Sequence, residues 1–147
     1  MAEQEAKGLH VLLIEDNPDD VELALHAFRV HKLANSVHVC RDGVEAVDYL
    51  FGEGSSDRVV PKLILLDFKL PRMDGPEVLA RIRAEERTRL TPVVMLTSSR
   101  DESDVARSYR AGANSYIIKP VDFEQFTEAV RQVGLYWLLI NQSTPVV

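Results

Sequence analysis

Four short apolar runs constrain this chain more than any other feature. Residues 11–14 (VLLI), 63–66 (LILL), 93–96 (VVML) and 116–118 (YII) lack the polar alternation of a half-exposed strand. They therefore read as strands covered on both faces, the condition of a parallel sheet flanked by helices. Each run ends on a polar residue: Glu15-Asp16, Asp67, Thr97 and Lys119-Pro120 in turn. If the strands are parallel, all four endings emerge along one edge of one sheet, and residues far apart in sequence meet in one cleft.

A weaker run, Val37 to Cys40, supplies a fifth strand, and helical patterns fill the gaps. Asn17 is placed to cap a first helix with Pro18 at its first position, Asp19 and Asp20 in its first turn, and Val21, Leu25 and Phe28 as its inward stripe. Gly43 to Phe51 gives a second helix, and Pro76 opens a third after the Asp74-Gly75 turn. A fourth starts at Asp101 or Ser103 and stops near Gly112, and Asp122 with Gln125 resembles the capping box of a fifth that runs to about Ile140. Strands alternating with helices through brief loops predict an α/β, flavodoxin-like doubly wound (βα)5 fold. Its five-stranded parallel sheet has order 2-1-3-4-5, helices on both faces and right-handed crossovers.

At 147 residues the chain fits one domain, expected over residues 9–140 with an extended C-terminal helix, a flexible stretch at 1–8 and a tail at 141–147. The net charge of −6 argues against nucleic acid and anionic lipid as partners. The densest basic stretch, Arg81 to Arg89, is interrupted by Glu85 and Glu86 and reads as a solvated helix face. The lone Cys40 excludes an internal disulfide and fits a reducing interior. The polar start MAEQEAKG is unlike a signal peptide, and no apolar run reaches the ~20 residues of a membrane span, so a cytoplasmic location is expected.

With this strand order the ligand crevice lies between the first and third strands, where Glu15 and Asp16 face Asp67. Three carboxylates in one cleft repel one another and attract a cation, and an all-oxygen set selects a hard one. Magnesium suits it. Calcium is the rival, but Asp16-Asn17-Pro18-Asp19-Asp20 lacks the glycine and the closing glutamate of a calcium loop. With the site neutralised, a carboxylate can attack phosphorus to form an acyl phosphate. Asp67, on the central strand, is best placed for this. Phosphoryl transfer then needs positioning and compensation of charge on the equatorial oxygens, for which the Lys119 ammonium and the Thr97 hydroxyl are at hand. Ser98 is small enough to leave room for a phosphate. Taken singly, each residue has an ordinary reading: an Asp or Thr closing a strand caps the next helix, and a Lys before Pro is a solvated loop residue. Their joint occurrence at converging strand ends favours the chemical reading.

The pair Glu15-Asp16, the run Asp67-Phe68-Lys69-Leu70-Pro71-Arg72-Met73-Asp74-Gly75, the pair Thr97-Ser98 and Lys119-Pro120 together resemble the receiver domains of two-component response regulators. The resemblance spans about residues 9 to 135. It implies that Asp67 accepts a phosphoryl group from the phosphohistidine of a histidine kinase. It also implies that Asp16, Asp67 and the backbone carbonyl of Lys69 bind Mg2+ directly, with Glu15 acting through water. Thr97 and Tyr116 would form the switch, and the Lys119-Pro120 peptide would be cis. The departures are small: Glu15 stands where the family has Asp, and Lys69 with Ser99 is placed to affect how water reaches the phosphate. Within the family, the EDNPDD start, the PRMDG stretch and the aromatic C-terminal extension look like the small single-domain regulators paired with phytochrome-type kinases. With no output domain expected, the signal leaves by protein contact.

Residues 134–140 (GLYWLLI) are apolar around the whole helix, more than one face against a sheet needs. Exposed surplus marks an interface, here a homodimer or kinase-docking surface through Tyr136 and Trp137. One rival reading is a receiver-like interaction module that is never phosphorylated; it retains no support from a lost acid, Thr97 or Lys119. A second is a haloacid-dehalogenase-type phosphatase, which needs a second Asp where Lys69 stands. A phosphotransfer domain using His26 or His31, set in an ordinary first helix, and a nucleotide-binding module, without its glycine motifs, are weaker. The expected role is therefore a phosphoacceptor signalling protein, not an enzyme acting on a separate substrate.

Overall fold

The computed structural model describes residues 10–31, 36–98 and 101–119, together with Glu124, Gln125, Glu128, Arg131 and Gln132. Strands β1 (His10–Ile14), β2 (Ser36–Cys40), β3 (Leu63–Asp67), β4 (Val93–Thr97) and β5 (Ser115–Ile118) pair in parallel in the order β2-β1-β3-β4-β5. Between them lie helices α1 (Pro18–His31), α2 (Gly43–Phe51), α3 (Gly75–Ala84) and α4 (Glu102–Arg110), with a 3-10 turn at Ser55–Asp57. The chain order and sheet order expected from the four runs are both present. The five described residues beyond Lys119 have helical backbone, where the final helix is expected.

Strand alternation splits the core into two layers. Val11 and Leu13 of β1, Leu63 and Leu65 of β3, and Val94 and Leu96 of β4 pack with Val21, Ala24, Ala27 and Phe28 of α1. The residues between them, Leu12, Ile14, Ile64, Leu66, Val93 and Met95, pack instead with Ala46 and Leu50 of α2 and Val78, Leu79 and Ile82 of α3. Every residue of β3 and β4 is buried. Strand β5 is only half-buried throughout, which corrects its reading as a fully covered strand. Among the described residues it pairs with β4 alone, at the edge of the sheet.

Helix starts follow the sequence chemistry. The Asn17 side-chain oxygen accepts the backbone N–H groups of Asp19 (2.9 Å) and Asp20 (3.2 Å), with Pro18 first in the helix, as expected. Asp42 caps α2 through the Glu45 N–H, Asp74 and Glu77 form a reciprocal capping box on α3, and Asp101 caps α4 through the Ser103 N–H. After α4 the chain turns through Gly112 at φ +108°, the left-handed conformation that glycine adopts without strain.

The basic stretch is a solvated face only in part. Arg83, at the end of α3, is half-buried and donates to the carbonyls of Gly112 (3.0 and 2.8 Å), Thr91 (2.7 Å) and Arg89 (3.0 Å), and to the Asn114 side-chain oxygen (2.7 Å). Arg87 likewise donates to the carbonyls of Leu50, Ser55 and Arg58. These guanidinium groups fasten the loops at the end of the sheet opposite the polar strand endings. Arg81, in an exposed pair with Glu85, and the exposed Arg89 behave as expected. Replacing Arg83 with Met strands several half-buried carbonyls and is expected to cost about 3 kcal/mol by urea unfolding, whereas Arg81→Met should change stability by less than about 0.5 kcal/mol.

Candidate phosphoacceptor and metal site

The carboxyl ends of β1 and β3 deliver two acids to the same face of the sheet. Glu15 continues the alternation of Val11 and Leu13, and Asp67 that of Leu63 and Leu65, so both side chains rise on the α1 side. Glu15 is 1% exposed and Asp67 6% exposed, an unusual depth for carboxylates. Backbone hydrogen bonds fix both residues and their neighbours: Glu15 N–H to the Cys40 carbonyl and Phe68 N–H to the Leu96 carbonyl, each 2.9 Å. Asp16, exposed, completes the group. Oxygens of Glu15, Asp16 and Asp67 all lie within 4.8 Å of one another.

The Lys119 side chain follows β5, whose last hydrogen bond runs from the Lys119 N–H to the Thr97 carbonyl at 2.6 Å. Its ammonium lies 2.9 Å from Glu15 Oε1, 3.3 Å from Asp67 Oδ1 and 2.8 Å from Asp20 Oδ2. Asp20 is the residue that sequence reasoning missed. It was legible only as a first-turn acid of α1, and its place beside the ammonium depends on β5 and α1 meeting in space. The Asn17 cap that holds α1 also steers Glu15, whose Oε2 accepts the Asn17 N–H at 3.2 Å.

The electrostatics follow from this crowding. Burial, reinforced by the neighbouring Glu15 charge, pushes the Asp67 carboxyl up to about 7 despite the nearby Lys119. Glu15 is also raised, by burial first, with Lys119 opposing. Burial pulls the Lys119 ammonium down, and the Asp20, Glu15 and Asp67 carboxylates more than reverse it, so the group stands above its ordinary value. Glu15 Oε1 is buried, and among the described residues its polar contact is the Lys119 ammonium. An all-oxygen set of three carboxylates this close together fits a hard divalent cation.

Of the remaining site residues, Thr97 and Tyr116 belong to the opposite face of the sheet from Glu15 and Asp67. Thr97 ends β4 and is buried; by alternation it shares the face of Met95, its β5 partner is Ile118, and Tyr116, paired with Met95, packs on that same core layer with its ring 6.3 Å from that of Tyr109. Lys69 is exposed in the loop after Asp67. That loop is held closely. Gly75 N–H bonds the Phe68 carbonyl at 2.9 Å, and a Cβ on Gly75 would stand 2.4 Å from the Asp67 carbonyl oxygen. Arg72, at φ 69°, reaches back to both carboxylate oxygens of Asp42 at 3.0 and 3.1 Å. Cys40 is buried and its thiol is pushed up to about 12, mainly by burial, which agrees with an inert role. Pro120, with the Lys119-Pro120 peptide, and Ser99, Tyr136 and Trp137 lie outside the described residues. No helix among the described residues is long and apolar enough to cross a membrane.

A doubly wound sheet with an acidic cluster, a strand-end Thr and a Lys at its switch point defines a receiver domain, and the chain belongs to the response regulator receiver domain family, whose pattern matches residues 11–131. It is 41% identical over 133 residues to the probable methanogenesis regulatory protein FilR2 of Methanothrix harundinacea, covering 90% of this chain and 86% of that protein. Among solved structures it is similar to the phosphorylated cyanobacterial phytochrome response regulator RcpA, with TM-score 0.80, 37% identity and coverage of 93% of this chain and 97% of that one. It is also similar to the Mn(2+)-bound form of response regulator Rcp1, with TM-score 0.81, 31% identity and coverage of 95% and 99%.

The raised Asp67 pKa makes a signed stability prediction. The folded protein holds a proton on Asp67 that the unfolded chain releases near 3.8, so its unfavourable contribution grows as pH rises from about 4 to about 7 and is constant above. In metal-free buffer, Asp67→Asn should therefore be more stable than wild type at pH 8 by a few kcal/mol, with the gain vanishing toward pH 4. Urea unfolding of both proteins in chelator across that range measures it.

Proposed function

We propose that this protein is a response regulator that accepts a phosphoryl group on Asp67 from a histidine kinase, in a reaction that requires Mg2+. The observation that carries the reading is the meeting of buried Asp67 with Glu15, Asp16 and the Lys119 ammonium at one sheet edge. The phosphorylated state named for RcpA and the Mn(2+)-bound state named for Rcp1 support it.

Asp67 is the nucleophile: a carboxylate oxygen bonds to phosphorus as the bond from phosphorus to the donor's imidazole nitrogen breaks, and the histidine leaves neutral once protonated. Reaction needs Asp67 ionised, and its raised pKa leaves that form partly populated at neutral pH without a cation. Glu15, Asp16, Asp67 and the Lys69 carbonyl would hold the magnesium ion, which supplies charge compensation for one phosphoryl oxygen. Lys119, 3.3 Å from Asp67, compensates a second with a short movement of its side chain. Thr97 turns its hydroxyl to a third and transmits the change to Tyr116, which is paired with Met95 on the same sheet face. Contact with another protein then carries the signal, so the chain catalyses only its own phosphorylation and dephosphorylation. A phytochrome-type kinase is the proposed donor on the likeness to RcpA, and a cytoplasmic location and a homodimer through Tyr136 and Trp137 complete the reading.

Incubation with Mg2+ and a small acyl phosphate should add one phosphoryl mass to the wild type and none to Asp67→Asn; equal addition to both would sink the assignment. Light scattering tests the dimer separately, where Trp137→Glu should be monomeric and wild type dimeric.

A further inference from the structure

The proposed site leaves one contact unexplained, and it is the shortest. The Lys119 ammonium is 2.8 Å from Asp20, closer than to Glu15 at 2.9 Å and well inside its 3.3 Å distance to Asp67. Asp20 belongs to no strand end. It comes from the first turn of α1, where the Asn17 side chain accepts its backbone N–H and the positive end of the helix dipole favours its charge. Its side chain is 28% exposed, against 14% for Lys119 and 8% for Asp67, so it stands at the mouth of the cluster.

We infer that Asp20 is a positioning residue, a resting counter-ion that draws the Lys119 ammonium toward α1 and weakens its hold on Glu15 and Asp67 before a divalent cation binds. The inference rests on the proposed function for its purpose, though not for its test. Three carboxylates, Glu15, Asp20 and Asp67, hold one ammonium, and an Asp16 oxygen lies within 4.8 Å of those of Glu15 and Asp67. An ammonium centred on Glu15 and Asp67 would occupy the same oxygens that a metal ion needs and would repel the ion besides. Sharing it with Asp20 spreads that charge away from the metal oxygens. The buried Glu15 Oε1, whose polar contact is the Lys119 ammonium, is then open to a stronger ligand. When a phosphoryl group arrives, the same ammonium leaves Asp20 for a phosphoryl oxygen.

Removing the Asp20 charge has two effects of one sign on metal binding. The local potential becomes less negative, and Lys119 settles onto Glu15 and Asp67. Titration of Mn2+ followed by electron paramagnetic resonance should show the ion binding about three- to tenfold more weakly to Asp20→Asn than to wild type. Asp20→Glu, which keeps the charge within reach, should stay within about twofold of wild type. Asp19→Asn, one residue away, also loses a charge but does not touch Lys119, and it should stay within about twofold as well. At saturating Mg2+, phosphorylation of Asp20→Asn by a small acyl phosphate should be at least as fast as wild type, because Lys119 is freed. Equal Mn2+ binding by wild type and Asp20→Asn, an equal loss in Asp19→Asn, or a slower saturated rate would overturn the inference. Wild type that binds Mn2+ but takes no phosphoryl group, with binding still weakened in Asp20→Asn, would overturn the proposed function and leave the role of Asp20 standing.

Discussion

Everything at the functional edge depends on one ammonium. Glu15 and Asp67 are carboxylates at a depth where isolated charges are not tolerated, and among the described residues Lys119 is the cation paired with both. It offsets only part of the repulsion. Asp67 stays raised to about 7 with Lys119 in place, so compensation is incomplete by construction. A fully satisfied ion-pair network would be inert. This one retains a demand for positive charge, which is the property a cation-dependent phosphoacceptor requires.

The rest of the fold makes that demand sustainable. Strands β3 and β4 are buried along their whole length, and the core layers on each face of the sheet hold β1, β3 and β4 in register. At the opposite end, Arg83 and Arg87 fasten loops to backbone carbonyls, where their charges meet dipoles and do not meet buried carboxylates. Stability is thus concentrated in the apolar sheet and its arginine-bound end. The repulsive cluster occupies the other end, where Gly75 lets the loop after Asp67 pass against its own strand.

The sheet order, the helix starts at Asn17 and Asp101, and the convergence of Glu15, Asp16, Asp67 and Lys119 were legible because they follow from local rules. Apolar runs without alternation give covered parallel strands, and capping residues stand next to the helices they begin. The misread parts are those set by partners distant in sequence. Arg83 looks like a surface base within its helix, and its Gly112 and Asn114 acceptors arrive only when β5 is laid beside β4. Asp20 looks like a helix-start acid for the same reason. Strand β5 has the composition of a buried strand, and its place at the edge decides its exposure.

The depth of Asp67 also bears on how such a site separates readiness from reaction. A surface aspartate would be ionised at neutral pH whatever the metal concentration, and its charge would be screened by solvent. Burial links the two events. The field that raises the Asp67 pKa is the same field that draws a divalent cation, so occupancy by a cation and ionisation of Asp67 rise together. Placing Glu15 on the same sheet face as Asp67 strengthens both effects, since its charge is the largest contribution after burial. A glutamate at this position reaches further along the crevice than an aspartate, which brings its Oε1 to the ammonium while its Oε2 remains tied to Asn17. Of the two buried acids, Glu15 is therefore the one tied directly to the start of α1, and Asp67 is the one whose carboxyl is held up to about 7 by burial and the Glu15 charge.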